Sequence, residues 1–216
     1  MITRRRTICS ILSALVLASC SLLGPEAPQR VVRVKALADV PFRSRNPRWQ
    51  DEARGLIEAA SDYYEREFDI RLLTQSVAAW PEERIASTPG LLTKLKKDFP
   101  VNAKKDDYDL IVVFTAEGVS RYLLAGRPRV DRIGNCAQGL GSYVIVPTGT
   151  VFHYNGPNAE PTFEVMTLVH EIGHIFGAEH VNDIRSIMHE DFGYRTEFDP
   201  KNRAVIQKNR TCAFAK

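Results

Sequence analysis

The stretch from Thr162 to His180 constrains the fold of this 216-residue chain more than any other. Thr162 to Phe176 has the periodicity of a helix, and within it stand His170, Glu171, Ile172, Gly173 and His174. Residues four apart lie on one helical face about one turn apart, so both imidazoles reach a single ion while Glu171 projects beside them. Gly177 follows His174 by three residues, and His180 follows Gly177 by three more. A glycine takes a positive φ that other residues avoid, so the helix can stop sharply there and bring His180 back to the same ion. Three protein ligands leave a position for water, which is the arrangement of catalytic zinc and not of closed structural zinc.

The run reads His-Glu-x-x-His-x-x-Gly-x-x-His, and its five specified residues have a chance of order one in 10⁵ of arising from ordinary composition. Together with Ser186-Ile187-Met188-His189, it resembles the metzincin clan of zinc endopeptidases. In that family a methionine lies in a tight turn beneath the histidines, and Met188 is the matching residue. The resemblance implies one catalytic Zn2+ on His170, His174 and His180, with Glu171 as general base and a peptide or protein as substrate.

It also implies an α+β domain with a mixed twisted sheet, a long packing helix, a metal-binding helix, a methionine turn and a C-terminal helix. The family's antiparallel edge strand above the metal has its expected counterpart in Ile133-Gly134-Asn135-Cys136-Ala137. Substrate would add to that edge as a further strand, with Gly134, Asn135 and Ala137 as its contacts. The short distance from His180 to Met188 is matrixin-like, whereas Gly177-Ala178-Glu179-His180 is similar to adamalysins, so the subfamily stays open. Glu190 stands where astacins carry a tyrosine ligand, which excludes that fifth ligand; Tyr194 is a weaker candidate for assisting an oxyanion. His153 and His189 lack ligand spacing. Two alternatives are a gluzincin layout with Glu190 or Glu197 as third ligand, and an inactive anchored binding protein with a structural zinc. An intact Glu171 argues against the second, since a structural site has no use for a base.

Elsewhere the pattern supplies the remaining elements. Val31 to Ala36 partly alternates apolar and polar residues, as a strand does. Asn46 as N-cap with Pro47 at the first helical position opens a helix, and Trp49, Ala53, Leu56, Ile57, Ala60 and Tyr64 form its apolar stripe. Ile70 to Thr74 and Tyr143 to Val146 read as strands, and the nearly continuous apolar run Asp109 to Thr115 suits a central one. Leu91 to Phe99 reads as a short helix with Lys94, Lys96 and Lys97 on a solvated face. Asp199 caps a last helix from Pro200 to about Asn209. Gly139-Leu140-Gly141 is an incomplete dinucleotide fingerprint with no helix after it.

The N-terminus reads differently. Arg4, Arg5 and Arg6 precede an apolar stretch from Ile8 to Ala18, as in a secretory leader, and that stretch is shorter than the roughly 20 residues of a membrane-spanning helix. Leu17-Ala18-Ser19-Cys20 resembles the bacterial lipobox, which implies cleavage before Cys20 and a lipid on it. The expected organisation is a signal peptide over 1–19, a lipidated cysteine and tether over 20–30, and a catalytic domain over 31–216. Ser21 after the cysteine favours the outer membrane in a two-membrane cell. Losing Arg4, Arg5 and Arg6 takes the formal charge from +3 to zero, so net charge gives no support to nucleic-acid binding. A monomer is favoured. With Cys9 removed and Cys20 lipidated, Cys136 and Cys212 are left for one disulfide in an oxidising compartment. The chain-entropy model values such a closure at about 4.5 kcal/mol.

Overall fold

The computed structural model describes residues 30–81, 88–101, 107–116, 129–190 and 196–215. The expected leader, Cys20, most of the tether and Tyr194 lie outside the described residues. Four strands, β1 (Arg30–Ala38), β2 (Ile70–Ala79), β3 (Leu110–Thr115) and β4 (Tyr143–Pro147), form one sheet in the order β2-β1-β3-β4. Every neighbouring pair is parallel. Parallel neighbours cannot be joined by a hairpin, and helices α1 (Val40–Arg45) and α2 (Trp49–Phe68) make the crossover from β1 to β2. Helix α3 (Thr88–Asp98) follows β2, and α4 (Phe163–Ile175) and α5 (Pro200–Asn209) follow β4.

The strand patterns follow from which face is covered. Leu110, Val112 and Phe114 of β3 pack with Leu56, Ile57 and Tyr64 of α2 and with Leu168, Val169 and Ile172 of α4 in one cluster. Ile111 and Val113 point the other way, to Leu91 and Leu95 of α3 and to Trp80. A strand covered on both faces has no polar face, which is why β3 is buried at every position. β1 alternates over its first half and is buried at Ala36, Leu37 and Ala38, where the second layer begins.

Three expectations need correction. Helix α2 starts at Trp49, not at Pro47: Asn46 instead ends α1, its Oδ1 accepting from Arg48 N at 2.9 Å and its Nδ2 donating to buried Glu52 at 2.8 Å. Helix α1 itself was not expected from periodicity; Asp39 starts it by accepting from Phe42 N at 2.8 Å. The third concerns the edge above α4. Residues 133–137 form a turn closed by an Asn135–Gly139 bridge, while antiparallel contact with β4 comes earlier, at Val130 opposite Val144. Asp131 N donates to Tyr143 O at 3.2 Å and Ile145 N to Arg129 O at 2.9 Å. Pairing ends there because the Asp131 carboxylate takes the main-chain N–H groups of Ser142 and Tyr143, at 2.9 and 3.1 Å. Among the described residues, the sheet is mixed only through this bridge.

Beyond the bridge, Cys136 is joined to Cys212 by a disulfide across a separation of 76 residues, with the Cα atoms 5.0 Å apart. Leu140 exchanges main-chain hydrogen bonds with Ala213 and Ala215, both 2.8 Å, so the chain end is stitched to the same loop.

Candidate metal centre

Helix α4 is placed by its neighbours on nearly every side. Thr162 caps its first turn, with its side chain accepting from Val165 N. All its residues from Glu164 to Ile175 are buried, and the buried Tyr64 hydroxyl of α2 donates to Val169 O at 2.8 Å. Gly173 allows Phe198 and Met188 to close against the helix: a Cβ there would stand 3.0 Å from Phe198 Cε1 and 3.1 Å from Met188 Sδ. At the helix end Gly177 has φ +96°, and a Cβ on it would meet Gly134 O at 2.5 Å and Asn209 Nδ2 at 2.6 Å. Both the left-handed backbone and the crowding require glycine.

That stop returns His180 to the helix. The Nε2 atoms of His170, His174 and His180 stand 3.2 Å from one another in all three pairs. His170 Nδ1 lies 2.6 Å from Ile187 O, and His174 Nδ1 lies 2.7 Å from Ala178 O. A carbonyl cannot donate, so both Nδ1 atoms carry the proton and both Nε2 atoms present bare lone pairs. Burial first, and then the neighbouring imidazoles, hold the His170 pKa well below its ordinary value. Burial lowers that of His174 to about 4 and also lowers that of His180. Neutral imidazoles whose lone pairs converge without a shared proton repel one another unless a cation sits among them. These three residues are the metal-ligating cluster found among the described residues.

Met188 is fully buried, and its turn is latched by Ser186. The Ser186 hydroxyl donates to Asp199 Oδ2 at 2.8 Å and accepts from Met188 N at 3.0 Å. Because Ile187 O orients His170, this latch also fixes a ligand tautomer. Glu171 Oε2 accepts from Arg129 N at 2.8 Å, and its Oε1 lies 3.7 Å from Arg129 Nη1. Burial raises the Glu171 pKa to about 7, with Arg129 opposing the rise. A carboxyl poised there suits a group that must both take and return a proton near neutrality.

The structure thus brings together His170, Glu171, His174, His180 and Met188. It places Gly134, Asn135 and Ala137 elsewhere: Gly134 N donates to His174 O at 3.0 Å, on the backbone at the end of α4. Arg129, Ser186, Asp199 and the Ile187 carbonyl were missed as contributors. No spacing rule links them to the histidines; Ser186 and Ile187, inside the methionine motif, and Asp199, as an N-cap, were in view only in other roles. Glu190 Oε1 lies 3.8 Å from His180 Nδ1, the nitrogen facing away from the cluster, and is not among the converging ligand atoms. His153 and His189 are not in the cluster.

The fold and the histidine cluster together define a metallopeptidase. Residues 28–215 match the family described as metallo-peptidase family M12 (Reprolysin_5), and the chain belongs to that family. It is a metal-dependent hydrolase of the metzincin type. Its fold is similar to that of the archaemetzincin from Methanopyrus kandleri, with a TM-score of 0.53 over 87% of this chain and 98% of that one, at 18% identity.

Proposed function

We propose that this chain is a zinc endopeptidase carried at the bacterial cell envelope by a lipid on Cys20. The observation that carries the catalytic part is the triangle of Nε2 atoms 3.2 Å apart. Tetrahedral zinc with Zn–N bonds of about 2.0–2.1 Å needs nitrogens about 3.3 Å apart, so the three imidazoles suit one ion of that size. When bound, zinc supplies a Lewis acid that makes a water nucleophilic at neutral pH and polarises the carbonyl under attack.

The protein's own residues do the rest. His170, His174 and His180 hold the ion, two of them locked in tautomer by backbone carbonyls. Glu171 takes a proton from the attacking water and returns it to the leaving amine, and the Arg129 main-chain N–H fixes its Oε2. Val130 supports an extended substrate: with Asp131 N and Arg129 O turned to β4, alternation along the strand turns Val130 N–H and C=O outward. A peptide adding there as a strand passes beside Glu171.

The membrane part rests on Leu17-Ala18-Ser19-Cys20 at the end of a leader. Among the described residues no helix is long and apolar enough to cross a membrane. The test of the catalytic reading is hydrolysis of a peptide library by the purified zinc-loaded domain, silenced by a chelator and restored by zinc. Absence of any cleavage by a folded, zinc-loaded protein would refute it. The test of the anchor is Cys20→Ala, which should move the protein out of the membrane fraction; unlipidated wild type in the soluble fraction would contradict it.

A further inference from the structure

Arg129 is more buried than its hydrogen bonding accounts for. Its side chain is 12% exposed, and its one partner among the described residues is Glu171 Oε1 at 3.7 Å, which is beyond hydrogen-bonding range. Its Nε is buried without an acceptor. Arg30, Arg43 and Arg45 also have an unpaired buried Nε, yet each donates through its outer nitrogens, to Cys212 O, Trp80 O, and Glu52 with Thr148, respectively. Among the described residues, the Arg129 guanidinium makes no side-chain hydrogen bond of its own. Nor is it needed to hold the general base, because the main-chain N–H of Arg129 does that whatever the side chain.

We propose that Arg129 is a specificity residue which receives a carboxylate of the substrate next to the scissile bond. This deepens the zinc-peptidase reading and rests on it. The guanidinium stands at the start of the edge segment whose Val130 main-chain N–H and C=O face outward, 3.7 Å from the carboxylate that serves the reaction. Its planar fork matches a carboxylate with two parallel N–H···O bonds, which a lysine ammonium cannot reproduce. Glu171 lies 3.7 Å from the guanidinium, whereas Glu190 lies behind His180 and is half exposed. An incoming anion therefore meets a cation with open donors. The carboxylate can come from an acidic side chain beside the cleaved bond or from the C-terminus of a short peptide.

The test uses the zinc-loaded protein and matched peptides built on a sequence it cleaves. One arm exchanges Glu for Gln at each position flanking the cleaved bond; the other exchanges a free C-terminus for an amide close to it. Wild type should prefer one carboxylate by at least roughly tenfold in kcat/KM, as a charge-assisted pair warrants. Arg129→Gln should bring the acid-to-amide ratio to near one, and Arg129→Lys should restore only part of it. The arm that shows the preference identifies the source of the carboxylate. Equal cleavage of both members of every pair overturns the proposal while leaving the peptidase reading intact, and so does an Arg129→Gln protein that slows acid and amide equally. If wild type cleaves nothing, the underlying reading fails, and calorimetric titration of zinc-loaded Glu171→Ala protein decides. Carboxylate peptides binding at least roughly tenfold tighter than their amides support the site, and equal binding rejects it.

Discussion

Two of the three metal ligands differ in kind from the third. His170 and His174 sit four apart on a buried helix, each with its Nδ1 bonded to a backbone carbonyl. His180 lies past the helix end, more open to solvent, and its Nδ1 faces the half-exposed Glu190 at 3.8 Å. The helix pair is held by packing that exists whether or not metal is bound. The third ligand follows the turn at Gly177 and is held by its neighbours: Glu179 exchanges hydrogen bonds with the Asn202 side chain at 3.0 and 2.9 Å, and Val181 N donates to Met188 O at 3.1 Å. The site is thus a buried pair fixed by helix packing and a more exposed arm fixed by loop hydrogen bonds.

The largest effect should come from breaking the rigid pair. His174→Ala removes a ligand and leaves His170 without its helical partner, and metal affinity should fall by more than roughly 100-fold, beyond the range typical of outer-shell losses. His180→Ala should weaken binding less, leaving a two-imidazole site that still titrates. Zinc calorimetry on both variants checks the order, and equal losses would erase the distinction between pair and arm.

Gly177→Ala should damage the arm together with the Gly134 and Asn209 contacts that pack against its turn. A Cβ at φ +96° with two polar atoms inside 3 Å costs at least about 1–3 kcal/mol. Urea melts should show that loss, and zinc affinity should fall while the far-ultraviolet spectrum keeps the signal of α4. Ser186→Ala should act more gently, on the methionine turn: it removes three hydrogen bonds, one to Asp199 Oδ2 and one each from Met188 N and Asp199 N, each worth about 0.5–1.5 kcal/mol, and metal affinity should fall by less than roughly tenfold. A Ser186→Ala protein as stable as wild type would mean the latch is ornamental.

The smallest effect is in acid. Burial by itself would raise the Asp199 pKa, but hydrogen bonds from Asn202 N, Ser186 Oγ and the Asn202 side chain outweigh it and hold the value below the usual range. A carboxylate with a lowered folded pKa adds stability that is present above its unfolded pKa of about 3.9 and is lost as pH falls through the folded value. Thermal melts between pH 5 and pH 3 should therefore show a smaller loss for Asp199→Asn than for wild type.

The rigid pair was legible in the sequence and the surroundings of the site were not, for a physical reason. His170, Glu171, His174, Gly177 and His180 owe their relation to helical rise and a single turn, both set by residues a few positions apart. Met188 was readable through its short spacing from His180, and Asp199 through its N-cap position, although not as the partner of Ser186. Arg129 meets Glu171 across 42 residues of sequence, a contact decided by which segment pairs with β4. The edge expected at Ile133 to Ala137 lies earlier, at Val130. The alternation of β1 and β2 did not reveal that all four strands run parallel; that follows from helices packing on both faces. Cys136 and Cys212 were matched by elimination among four cysteines, and the fold brings them together.

The most direct test of the central claim compares metal content with turnover in Glu171→Ala. Glu171 adjoins His170 on α4 but supplies no ligand to the converging cluster, so the variant should bind zinc with near wild-type stoichiometry. Peptide hydrolysis should fall by at least roughly 100-fold, the low end of what a positioned acid–base group contributes. A Glu171→Ala protein that holds zinc and cleaves peptides at the wild-type rate would contradict the account.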